Sequence, residues 1–132
     1  NFVGRGVGSV GQFVAIDLDN ASIIGTEEAG QKRTSSGYMP PEQALIEAYK
    51  RSTDKNKSSH RPPAVPATKS YDMWCFGCLL YFLCTGKQLF NVDTKEDVDD
   101  DDLQRICIWD DTWKEEKLSK VGQAWTEWIG LL

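Results

Sequence analysis

Three groups of side chains in this sequence could do chemistry. Asp17 and Asp19 flank Leu18 at the end of the apolar run Phe13-Val14-Ala15-Ile16. Carboxylates at a strand's end, freed from the sheet, suit Mg²⁺, which takes oxygen ligands and often only one or two carboxylates plus phosphates. The same residues followed by Asn20 also make an acidic turn, because Asp and Asn are ordinary turn formers. Spacing alone leaves both readings open. Gly6-Val7-Gly8-Ser9-Val10-Gly11 matches G-x-G-x-x-G, a phosphate-cradling pattern. A dinucleotide site would need a helix directly after the glycines, and here a strand follows at once. The cluster therefore reads as the turn of a hairpin over Phe2 to Ile16.

The second group is Trp74-Cys75-Phe76-Gly77-Cys78, which imitates the W-C-x-x-C of thiol–disulfide oxidoreductases. That chemistry needs an exposed first cysteine with a lowered pKa at a helix start. Here the helix begins several residues earlier, so both thiols are expected in an apolar interior as small core residues. The third group is Thr34, Ser35 and Ser36, beside Lys32 and Arg33 in a polar loop. Any of them could accept phosphate, and all three are equally ordinary loop residues. His60 has no nearby acidic or cysteine partner in sequence and is expected at the surface.

These groups are organised around Ser70 to Asn91. The stretch predicts a helix of about four turns, roughly 22 Å long at 1.5 Å per residue. Ser70 is the expected N-cap, Asp72 puts negative charge in the first turn, and Gly86 stands where a C-terminal glycine stops a helix. Its apolar residues sweep right round the axis, and a run of about a dozen is short of the roughly 18 that a membrane span needs. A buried core helix, covered by other segments, is expected. Pro40-Pro41 favours a helix from Glu42 to Tyr49. Lys50 to Lys69 is basic, Ser-rich and then Pro-rich, with nothing to bury, and is expected as a loop insertion. The acid run Asp99 to Asp102 favours a helix start by the dipole effect, and Trp109, Trp113, Val121, Trp125, Trp128 and Leu132 fall on helical stripes expected to face the core.

The chain has 132 residues, five tryptophans and a net charge of −5. It is long enough to bury one core, and its acidity argues against nucleic acid as a partner. Four cysteines, three of them in or at the end of one apolar helix, fit reduced thiols in the cytoplasm better than a disulfide framework. No secretory signal is visible. Asn1 leads straight into apolar residues and Leu132 ends an apolar pattern without a cap, so a fragment is expected.

An apolar strand ending in Asp17-Leu18-Asp19, a hydroxyl-bearing loop, Gly37-Tyr38-Met39-Pro40-Pro41-Glu42, and a helix opening Ser70-Tyr71-Asp72-Met73-Trp74 with Gly77 occur in that order. This succession resembles the C-terminal lobe of a eukaryotic Ser/Thr protein kinase. The resemblance implies a kinase-like α+β parent fold, of which residues 1–132 are a mostly α-helical C-lobe portion with a short N-terminal hairpin and residues 50–69 an insertion. It implies ATP and Mg²⁺ as cofactors and a protein substrate. Asp17 matches the metal ligand of the DFG triplet and Asn1 the catalytic-loop asparagine that binds a second Mg²⁺. Thr34, Ser35, Ser36 and Glu42 fall in the activation segment, with Ser35 on the hydroxyl that shapes the substrate-facing loop and Glu42 on the APE glutamate, whose arginine partner is expected beyond Leu132. Asp72 matches the anchor that accepts hydrogen bonds from the catalytic loop.

Two departures matter. Asp19 stands where the triplet has glycine, which removes the residue that tolerates positive φ. The 132 residues also carry no N-lobe, no β3 lysine and no catalytic-loop aspartate, so the chain alone is expected to be inactive. A non-catalytic pseudokinase or scaffold is the alternative, and a thiol–disulfide oxidoreductase the remoter one. The sequence specifies neither a substrate nor an oligomeric state.

Overall fold

A computed structural model describes residues 2–5, 12–15, 18–25, 35–52 and 62–122. These residues are mostly helical. Strands β1 (Phe2–Arg5) and β2 (Gln12–Ala15) pair antiparallel, Phe2 opposite Ala15 and Arg5 opposite Gln12, and no larger sheet forms among the described residues. A 3-10 turn follows at Leu18–Asn20, and a second at Ser36–Tyr38 leads into helix α1 (Pro41–Arg51). Helices α2 (Lys69–Thr85), α3 (Asp100–Ile108) and α4 (Asp111–Leu118) complete the order. No helix among the described residues is long and apolar enough to cross a membrane.

Pro41 occupies the first turn of α1, where a missing N–H costs nothing and the fixed φ is already helical. Helix α2 starts one residue before Ser70. Its N-cap is Thr68, whose Oγ1 accepts the Tyr71 N–H at 3.3 Å, while Ser70 sits inside the first turn with its hydroxyl 2.8 Å from that of Thr68. Thr68 has the extended backbone that an N-cap requires, so it wins the position. Gly86 stops the helix in the left-handed region at φ 68°, its N–H bonded to the Phe82 carbonyl. The acid run opens α3 with Asp99 as cap, its carboxylate accepting the Asp102 N–H at 2.7 Å.

Trp109 and Trp113 do not share one helix. Trp109 terminates α3 at φ 32°, and Asp110 caps α4, accepting the Trp113 N–H at 2.8 Å. The turn still brings both rings to the core, where Trp74, Phe90, Trp109 and Trp113 form a continuous aromatic cluster. Phe90 lies at its centre, fully buried, with Leu103, Ile106, Val98 and Ala44 around it in the same core. Helices α1 and α3 pack against each other.

Two further expectations are corrected. The connector does bury side chains: Val65 and Ala67 are inside, and Ala67 offers its carbonyl to the Gly25 N–H at 3.1 Å. Those two apolar residues tie the Pro-rich stretch down before α2. Helix α2 is not covered on every side by the described residues. Tyr71, Trp74, Gly77, Cys78 and Tyr81 face the core, whereas Met73, Phe76, Leu79, Phe82 and Leu83 are exposed. At 100° per residue, Asp72, Phe76, Leu79 and Leu83 form one line down the outer face.

Candidate functional site

The segment before α1 is where the sequence concentrates its chemistry, and the fold fixes it from both sides. Met39 and Pro40 are buried, Met39 within the main core cluster. Facing them, the Cys75 thiol donates to the Tyr38 carbonyl at 3.2 Å, which joins the segment to the first half of α2. On the other side Ser36 is buried against the 92–98 loop, donating to the Glu96 carbonyl at 2.7 Å and accepting the Val98 N–H at 2.6 Å. The packing is close at Gly37, where a Cβ would lie 2.9 Å from Val92 Cγ1 and force that side chain to shift.

The partner loop has its own internal bracing. Val92 and Val98 form an antiparallel bridge, and Asp93 Oδ1 accepts the N–H groups of Lys95 and Asp97 at 2.7 and 3.0 Å. The Asp97 and Lys95 amides hold the Asp93 carboxyl below its usual range. Glu96 takes φ 63°, a left-handed value rare outside glycine. Arg51, at the end of α1, donates to the Val98 carbonyl at 2.8 Å and pairs with Asp100 at 3.1 Å.

Among the candidate residues, the described part of the structure brings Ser35 and Ser36 together with Glu96, and it separates the rest. Ser35 is exposed and its Oγ donates to Glu96 Oε2 at 3.2 Å. Glu42 is exposed in the first turn of α1 and has no ion-pair partner among the described residues. Asp72 is exposed in the first turn of α2 and makes no hydrogen bond or ion pair among the described residues. Asp19 is exposed within the Leu18–Asn20 turn and does not adopt a positive φ. Asn1, Asp17, Thr34, His60 and the Gly6 to Gly11 cluster lie outside the described residues. Sequence reasoning missed Glu96. Its only signal was Asp93 two and four residues ahead of amides it could hold, an Asx-turn pattern inside an acidic stretch.

The thiols sit where core residues sit. Cys78 is buried and Cys75 half-buried. Burial first, then the nearby Asp72 carboxylate, pushes the Cys75 thiol up to about 11, and burial pushes Cys78 up further. Catalytic thiols in W-C-x-x-C sites are shifted the opposite way. In native protein at pH 8, iodoacetamide is therefore expected to leave Cys75 and Cys78 unmodified over a time that alkylates both in 8 M urea. Mass mapping of the two residues checks this, and rapid native labelling of Cys75 would contradict it. Comparison with known proteins finds no matching family, no matching curated protein and no matching solved structure.

Proposed function

We propose that these residues are part of the C-terminal lobe of a protein-kinase-like domain, whose complete form transfers the ATP γ-phosphate to Ser or Thr hydroxyls of proteins with Mg²⁺. The observation that carries the reading is the outer face of α2. A helix apolar all round is a core helix, yet here an exposed line of Phe76, Leu79 and Leu83 is headed by the exposed Asp72. Among the described residues that face is open, and a carboxylate at its head suits a covering segment that donates hydrogen bonds to it, which in this reading is the catalytic loop. The docking of Tyr38 on Cys75 adds support, since it joins the APE-like segment to the D-x-W-x-x-G-like helix.

In this reading Asp17 and Asn1 are the oxygen donors to Mg²⁺, a hard cation suited to carboxylate and amide oxygens. The metal would neutralise charge on the transferring phosphoryl group. Four cysteines without a disulfide fit a cytoplasmic protein. The pseudokinase alternative rests on Asp19 in place of glycine. The oxidoreductase alternative rests on the Trp74 to Cys78 pattern alone.

The test uses two chains. The 132 residues alone are expected to transfer no phosphate from Mg·ATP to Ser/Thr peptides, because the parts of the catalytic apparatus must be positioned together. A chain extended upstream through an H-x-D and a lysine strand is expected to be active, and to lose that activity with Leu83→Glu. In the 132-residue chain Leu83→Glu should change stability by less than about 0.5 kcal/mol, as surface substitutions do. Transfer by the short chain would overturn the reading, and an inactive extended chain would favour the pseudokinase.

A further inference from the structure

The open face of α2 carries a second inference, one that stands whether or not the chain belongs to a kinase-like domain. Met73, Phe76, Leu79, Phe82 and Leu83 are all exposed along it, although a helix this apolar is built to be covered. Five large apolar side chains on one helix face make a patch on the order of a few hundred Å², the size that marks an interaction surface rather than scattered surface residues. Charge sits only at its ends. Asp72 heads the line of Phe76, Leu79 and Leu83, with Lys69 a turn further out, and Lys87 stands at the foot just past the Gly86 stop. No residue between Asp72 and Lys87 is charged. Both are exposed, and neither makes an ion pair among the described residues. An acid at one end, a base at the other and apolar side chains between them complement the same pattern reversed. Two copies of α2 laid antiparallel about a two-fold axis near Leu79 set Asp72 of each beside the partner's Lys87, and Phe76 against the partner's Leu83. Laid parallel, they set like charges together. We infer that this face takes a second copy of the chain, the two α2 helices packing antiparallel in a two-fold dimer.

The driving force is removal of the apolar side chains of both copies from water. One helix face is smaller than the roughly 800 Å² per partner of a tight complex, so the dimer is a weak one, with a dissociation constant of about 10–100 μM. The charged pairs at the rim add little attraction, since water screens them. Their part is direction, because the parallel arrangement would bring like charges face to face. In the kinase-like reading a longer chain fills this face with its own catalytic loop, and a second copy is then excluded from it. The 132-residue chain is the form that pairs.

Sedimentation equilibrium of the 132-residue chain in reducing buffer, from about 1 to about 500 μM, tests this. The mass should rise from that of one chain and level off at that of two. Leu83→Glu should weaken the association at least about tenfold. At about 1 μM, where the chain is monomeric, the same variant should keep the urea midpoint of the unchanged chain. Asp72→Lys sets two cations together at each end of the pair and should weaken association at least about threefold, and adding Lys87→Asp should restore it to within about twofold. A parallel pair would show neither the loss nor the rescue. The mass of one chain at every concentration, the face then being held by another segment, would overturn the inference. So would association that continues past two chains, a dimer indifferent to Leu83→Glu, or an Asp72→Lys loss that Lys87→Asp does not restore. A monomeric 132-residue chain beside an active extended chain would sink the dimer alone. A dimeric extended chain without activity would sink the kinase-like reading alone.

Discussion

Phe90→Ala is expected to remove about 3–5 kcal/mol of stability, the usual cost of emptying a fully buried aromatic site. Phe90 has no exposed surface, and its ring stacks on Trp113 at 5.2 Å, lies 6.2 Å from Trp74 in near-parallel orientation, and meets Trp109 edge-on at 5.9 Å. Those three rings come from α2, the end of α3 and α4, so the cavity cannot collapse by moving one element. Against a total of about 5–15 kcal/mol for a domain, the loss is a large share. The measurement is a urea midpoint by tryptophan fluorescence. Leu83→Ala is the control, because Leu83 is 67% exposed and should shift the midpoint by less than about 0.5 kcal/mol. If the two variants were equally stable, the aromatic cluster would not be the core.

The same cluster shows what the sequence could and could not convey. Its members were legible as apolar residues, and the starts of α1 and α3 were legible from the Pro pair and the acid run, whereas the expected cap of α2, Ser70, gives way to Thr68. What was not legible is the break at Trp109. A four-residue spacing looks identical whether one helix continues or two helices meet at a left-handed residue, and only the Asp110 cap distinguishes them. Likewise, an all-apolar helix has no polar side to say which face the chain covers. Helix α2 carries large apolar residues on its inner and its outer face alike, and only packing tells Trp74 from Phe76.

For the candidate site the limit is different. Ser35 and Ser36 were legible as hydroxyls, but one is exposed and one buried, and the difference depends on a loop sixty residues away. No local pattern encodes a partner at that distance. The thiols show the converse: a familiar motif was legible, and the physical setting that gives such a motif its chemistry is reversed here by burial.

Asp102→Ala should cost about 2–3 kcal/mol, although Asp102 looks like one of four equivalent acids in the run Asp99 to Asp102. Its side chain is 2% exposed, with Oδ2 accepting the Asn91 N–H at 2.7 Å and Oδ1 accepting Arg105 Nη1 at 2.9 Å. The two bonds differ in weight. Arg105 is 53% exposed and can turn to water, so its pairing contributes at most about 1 kcal/mol. The Asn91 N–H is part-buried, and truncation leaves it without its charged acceptor. Asp101→Ala, at an exposed position, is the control and should cost less than about 0.5 kcal/mol. Arg105→Ala should cost less than Asp102→Ala, and a double-mutant cycle should give a coupling below about 1 kcal/mol. Equal effects of Asp101→Ala and Asp102→Ala would refute the assignment. The loss should also reach the core, because Asn91 follows Phe90 directly. An amide that no longer holds its acceptor loosens the backbone carrying the central ring, so near-ultraviolet circular dichroism from the tryptophans should weaken in Asp102→Ala and stay unchanged in Asp101→Ala.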